Sequence, residues 1–234
     1  MLGWILVPQP AKNSFHLEQY AEVGNKLMLS LGYNEYVIQG GDWGFAIAQY
    51  QASIYGPEHV KAWHTNTPAK VSAPSVFKNP ISYISRFLPL STKEKTGFEQ
   101  TEWFMAARSG YLAEQSTQPQ TLAYSLADSP VGLLAWIYEK LVIWTDDYKW
   151  TDEEVLEWVS VYWFSRAGPA ASIRIYYEAR DVLYQNVYSP IPFGYSLFPK
   201  DLVVRPQSWC RTLGNTVFER LHDDGGHFAA HERP

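Results

Sequence analysis

Apolar residues recur at spacings of three and four from Phe15 onward. Leu17, Tyr20, Val23, Leu27 and Leu31 would share one face of a helix, and Gly32 follows where such a helix would end. The pattern then shortens. Tyr36 to Gln39 is a brief β-prone run, and the turn Gln39-Gly40-Gly41-Asp42-Trp43-Gly44 divides it from a second helical stretch that reaches Tyr55. Gly56-Pro57 breaks that helix, and Val60 to Thr65 reads as another strand, closed off by Pro68. Helix, strand, helix, strand is the rhythm of a parallel sheet with crossover helices.

Between Ala69 and Arg180 the rhythm stops and the signals are helical. Asp128 or Ser129 can cap a helix that starts at Pro130, with Val131, Leu134, Ile137, Tyr138 and Leu141 on its apolar side. Thr151 and Glu154 spell a capping box, and a third helix is expected from Pro169 to Arg180. Strand patterns return at Pro192 to Phe198 and at Thr216 to Leu221. The fold class is therefore α/β: a mostly parallel sheet built from residues 1–68 and 181–234, with a helical insertion at 69–180.

Composition adjusts this picture only slightly. With 234 residues and 46% hydrophobic side chains the chain can bury a real core. The 10 Trp and 16 Tyr suit a bulky core, and could also wall a pocket for an apolar ligand. A net charge of -5 without a basic stripe excludes nucleic acid as an expected partner. The single cysteine, Cys210, excludes an internal disulfide and a multi-cysteine metal site. The N-terminal apolar run is short and lacks the positive flank of a signal peptide, and no later run is long enough to span a bilayer. A cytoplasmic chain without membrane association is the expectation.

The candidate chemistry starts at the glycine turn. A strand, a tight G-x-nucleophile-x-G turn and a helix make a nucleophile elbow, which lifts its central side chain above the sheet. Here the centre is Asp42, within Gly40-Gly41-Asp42-Trp43-Gly44, and the N–H of Trp43 is placed to face charge that develops there. A carboxylate nucleophile attacks a saturated carbon and forms an ester that water must open. In the chain order of such hydrolases an acid and then a histidine follow. His227 comes last, and Asp201, just after a strand, is the best-placed acid to orient its ring. A competing reading uses His227 and His231, four apart, as metal ligands. Gly225-Gly226 argues against it by placing His227 ahead of a helix rather than within one.

Taken with the insertion, the runs QGGDWG, FPKD, GGHFAAHERP, QPQTLAYSLADSPVGLLAWIYEK and RIYYE resemble an epoxide hydrolase of the α/β-hydrolase superfamily, in its microsomal-type branch with soluble fungal members. The resemblance implies Asp42 as nucleophile, His227 as base and Asp201 as its partner. It also implies two cap tyrosines that hold the epoxide oxygen. One matches Tyr111 and the other Tyr176, with Tyr177 as the reserve. The implied reaction is hydrolysis of a small apolar epoxide to a vicinal diol, with water as the second substrate and no cofactor or metal. The resemblance also implies earlier sheet strands, an HGWP-type loop with a second oxyanion donor, and a final helix, none of which this sequence contains. A chain truncated at both ends is thus expected to leave a strand edge exposed and to associate into homo-oligomers. Two further readings stand beside the working enzyme: an inactive fragment that binds apolar ligands, and a haloalkane dehalogenase-like hydrolase, which also uses an aspartate elbow followed by Trp.

Overall fold

Four strands form a wholly parallel sheet in the order β1-β2-β3-β4: β1 (Tyr36–Gln39), β2 (Val60–Thr65), β3 (Ser189–Leu197) and β4 (Gly214–Leu221). The computed structural model describes residues 15–68, 87–181 and 187–234, with Val71, Ala73, Pro74, Phe77, Tyr83 and Ile84. The run before Phe15 lies outside the described residues. Helices α1 (Leu17–Ser30) and α2 (Trp43–Tyr55) flank β1 in the chain, so β1 and β2 are parallel neighbours joined by a helical crossover. The strands expected at 36–39 and 60–65 fall where the pattern put them. The two later ones start earlier than expected, at Ser189 and Gly214.

The core lies between α2 and one face of the sheet. Phe45, Trp63, Phe193 and Tyr195 are fully enclosed there, and Trp63 stacks on Phe193 with ring centroids 4.2 Å apart. Each such ring is worth about 1.5–3 kcal/mol when removed from water, so this patch holds α2, the helix that follows the elbow, against β2 and β3.

Helix α1 packs on α2, yet not through the face that its apolar spacing suggested. Leu17, Ala21 and Asn25 are buried, whereas Val23, Leu27 and Leu31 are 49%, 56% and 61% exposed. The reason is close approach. The small residues Ala21 and Gly24 let α1 lie against α2, with Gly24 against the Gln51 side chain, and the bulkier stripe turns outward. Gly32 ends the helix with φ +86°, a left-handed conformation that glycine adopts at no steric cost.

The described residues between β2 and β3 contain helices and no strand: α3 (Thr92–Ala107), α4 (Gly110–Thr117), α5 (Pro119–Asp128), α6 (Pro130–Ile143), α7 (Asp152–Trp163) and α8 (Arg174–Glu178). Ser129 caps α6 by accepting from the Gly132 N–H at 3.0 Å, and Thr151 with Glu154 closes the capping box of α7. A third box, Ser91 with Glu94, starts α3. The buried side of α6 is Leu133, Lys140 and Leu141, while Val131 and Tyr138 face out. Of the expected stripe, Leu134, Ile137 and Leu141 pack inward and only Val131 and Tyr138 do not. The side of α6 that faces α7 and the cavity takes precedence over simple periodicity. The helix expected over 169–180 is shorter, a 3₁₀ turn at Ala171–Ile173 leading into α8.

Candidate active site

The elbow between β1 and α2 is tight because Gly40 and Gly41 leave no room for side chains. A Cβ on Gly40 would collide with the backbone of Gly44. Asp42 itself takes φ 54° and ψ -125°, a conformation that a non-glycine residue holds at a cost of about 1–3 kcal/mol. Its side chain gains a partner in return. Oδ1 accepts the Trp43 N–H at 2.6 Å, at the positive end of α2.

The other carboxylate oxygen, Oδ2, is 3.0 Å from Nε2 of His227, and Nδ1 of His227 is 2.7 Å from Oδ1 of Asp201. Asp201 lies just past β3 and is 3% exposed, and the Leu202 N–H donates to the same oxygen. Asp42, His227 and Asp201, far apart in the chain, thus form one continuous line. Burial works against charge on the His227 imidazole. The Asp201 carboxylate and then Asp42 outweigh it and raise the ring to about 10. The two carboxylates thus favour the imidazolium form of His227.

The loop that presents His227 is held by groups no motif singled out. Gly225 has φ +102°, and its N–H donates to Asp146 Oδ2 at 2.8 Å. The carboxylate of Glu232, on the short helix α9 (Ala229–Glu232), accepts from the N–H groups of Gly226 and Asp146. The His227 N–H donates to the Trp144 carbonyl at 2.8 Å, and the Trp144 ring meets the His227 ring edge-on at 5.2 Å. The loop is pinned to the end of α6 as well as to the sheet. Glu232 is visible in the run HERP, but only its burial gives it away.

From the insertion come two phenols. Tyr111 begins α4 and Tyr176 lies in α8, with ring centroids 6.0 Å apart. Tyr176 packs edge-on against Trp43 at 4.9 Å. Burial first, and the Asp42 charge next, keep its proton bound well beyond the ordinary tyrosine range. Tyr177 does not share this position, since its ring turns outward beneath the Arg180 guanidinium. Asp42, Trp43, Tyr111, Tyr176 and His227 all line one cavity of about 320 Å³. Trp136, Trp144, Trp150, Trp158 and Leu141 wall much of the rest, so an apolar molecule of aryl size fits beside the carboxylate. A third phenol, Tyr162, also faces this cavity. Burial and then Asp42 push it up to about 12.

The metal reading finds no such arrangement. Both nitrogens of His227 meet carboxylates, whereas His231 stacks on Trp150 at 4.8 Å and faces Glu154. Among the described residues no group of three or more ligand-type side chains is placed to hold a metal ion. No described helix is long and apolar enough to cross a membrane.

No family model matches the chain. It is 34% identical over 238 residues to a protein named putative epoxide hydrolase from Stigmatella aurantiaca, covering 99% of this chain and 51% of that one. It is 31% identical to epoxide hydrolase 1 of Sus scrofa, over 96% of this chain and 54% of the relative. Among solved structures, Aspergillus niger epoxide hydrolase superposes with a TM-score of 0.80 at 41% identity, covering 96% of this chain and 56% of that one. The juvenile hormone epoxide hydrolase of Bombyx mori superposes with a TM-score of 0.83 at 25% identity, over 96% and 57% of the two chains. The chain spans about half the length of the curated relatives it matches. It is homologous to epoxide hydrolases of the α/β-hydrolase type and shares their parallel sheet with helices.

Proposed function

We propose that this chain, a homologue of epoxide hydrolases, carries the site that opens an epoxide to a vicinal diol through an ester on Asp42. The observation that carries the reading is the pairing of a strained elbow carboxylate with a buried His227-Asp201 couple, opposite two phenols in one aromatic cavity. Asp42 Oδ2 attacks a ring carbon and the carbon–oxygen bond breaks. The electron pair goes to the ring oxygen, which Tyr111 and Tyr176 hold and protonate.

Ester formation removes the Asp42 charge. One of the two carboxylates that keep His227 protonated is then gone, so the imidazolium becomes a stronger acid and its proton replaces the one lost from the phenol. The neutral ring, still oriented by Asp201, takes a proton from water, which attacks the ester carbon. Oδ1 carries the negative charge of the tetrahedral intermediate, and the Trp43 N–H that now meets it at 2.6 Å stabilises it. Collapse releases the diol and regenerates the carboxylate and the imidazolium. Asp42 is thus both nucleophile and the switch that decides when His227 is a base. The substrate is a small apolar epoxide with water as co-substrate, and the residues at the site require no cofactor.

Styrene oxide provides the test. The parent chain should release phenylethanediol, and Asp42→Ala should release none above background. Diol formation by Asp42→Ala at the parent rate would remove Asp42 from the reaction. Chloride release from a haloalkane without diol formation would favour a dehalogenase, the reading that the elbow alone leaves open.

A further inference from the structure

Lys140 has a place in the cavity that the mechanism above does not use. It lies on the buried side of α6, its side chain only 10% exposed, and it lines the same cavity as Asp42. Its ammonium stands 4.1 Å from the ring centroid of Trp136 and 5.2 Å from that of Tyr111. Its carboxylate partner is Glu139 at 2.8 Å, a residue whose side chain is half exposed. An ion pair with one partner in solvent is weakly stabilising, whereas burying an ammonium is costly. Packing alone would be served better by Leu or Met. What the position gives is a positive charge on the face of one particular phenol.

We propose that Lys140 is a positioning residue that makes Tyr111, rather than Tyr176, the phenol that gives its proton to the opening ring oxygen. This rests on the epoxide-opening reading of the site. As the carbon–oxygen bond breaks, the proton leaves Tyr111 Oη for the alkoxide, and the electron pair that remains makes a phenolate. A cation above the ring is attracted to π density and more strongly to a phenolate. Among the described residues no cation lies over the Tyr176 ring, which packs edge-on against Trp43 at 4.9 Å. The two phenols therefore divide the work: Tyr176 donates a hydrogen bond and keeps its proton, while Tyr111 transfers one.

A double-mutant cycle between Lys140 and Tyr111 tests this, with two readouts. The first is the single-turnover rate of Asp42 alkylation by styrene oxide. The second, which needs no turnover, is the affinity for benzamide, whose carbonyl accepts a phenol hydrogen bond, followed by tryptophan fluorescence. Lys140→Met should lower both about tenfold, the scale of a desolvated cation–π contact, and Lys140→Arg should restore most of the loss. On a Tyr111→Phe background Lys140→Met should add less than about a twofold effect, because the ring it acts through no longer donates. The rate of ester hydrolysis should not change. Equal losses on the parent and the Tyr111→Phe backgrounds, or none in either, would overturn the proposal. If the parent fails to alkylate Asp42 at all, the epoxide reading fails, and the benzamide cycle still decides whether Lys140 acts through Tyr111.

Discussion

From the sheet side the cavity receives Asp42 and His227, with Asp201 buried behind the imidazole, three ionisable groups joined at 3.0 and 2.7 Å. From the insertion it receives Tyr111 and Tyr176, phenols held by ring packing against each other, Trp43 and Trp144. The difference follows from what each scaffold can hold. Strand ends and tight turns fix charged side chains through backbone N–H groups, as Trp43 does for Asp42 and Leu202 for Asp201. Helices packed through aromatic rings cannot supply such ligands, but they exclude water, and that keeps a phenol protonated and ready to donate. In the proposed reaction each half draws on the part of the molecule that can provide it.

The sharpest way to separate the two halves is His227→Gln. It should lower steady turnover by about 10²–10⁴-fold, the range for loss of a general base, while the first turnover still alkylates Asp42. Stopped-flow would show a burst followed by a stall. Steady turnover near the parent rate would break the assignment of the base to the sheet side. The converse variant, Tyr111→Phe with Tyr176→Phe, should slow alkylation by about 10²–10³-fold, the scale for lost donors at a developing oxyanion, and leave ester hydrolysis unaffected. An equal slowing of both steps would mean that the phenols serve the site as a whole.

Much of the sheet half was legible in the sequence, since a β-prone run, closely spaced glycines and a helix are adjacent and each has a local physical meaning. Asp42 and the strand at Tyr36–Gln39 follow from that alone. His227 and Asp201 could be proposed from chain order, but each on its own is also an ordinary strand-end residue. The tyrosines were not legible from local pattern. Tyr111 and Tyr176 start or sit within short helices among sixteen tyrosines, and only resemblance singled them out. Lys140, Glu232 and Tyr162 escaped because burial and long-range partners define them, and periodicity does not report either. The apolar stripe of α1 misled for a related reason. Packing favoured the small residues Ala21 and Gly24 over the larger ones that dominate a hydrophobicity count.

Smaller effects refine the comparison. His227 titrates near 6.5 when unfolded and is raised to about 10 in the fold. Its contribution to stability is therefore fully present below about pH 6.5 and is lost as pH rises through 10. The parent should lose more melting temperature between pH 7 and 10 than His227→Gln does. Parallel melting profiles would mean that the imidazolium is not held between the two carboxylates. Glu232→Ala strips the acceptor from two backbone N–H groups in the His227 loop. It should lower stability by about 1–3 kcal/mol, the cost of unsatisfied buried donors, as read by urea unfolding.

In the proposed reaction the oxygen delivered to the substrate comes first from Asp42. A single turnover of styrene oxide with excess enzyme in water enriched in heavy oxygen tests it most directly. The peptide carrying Asp42 should gain the label, because water attacks the ester carbon, and the diol from this first turnover should be unlabelled. A labelled diol with an unlabelled Asp42 peptide would contradict it, since water would then have attacked the epoxide directly.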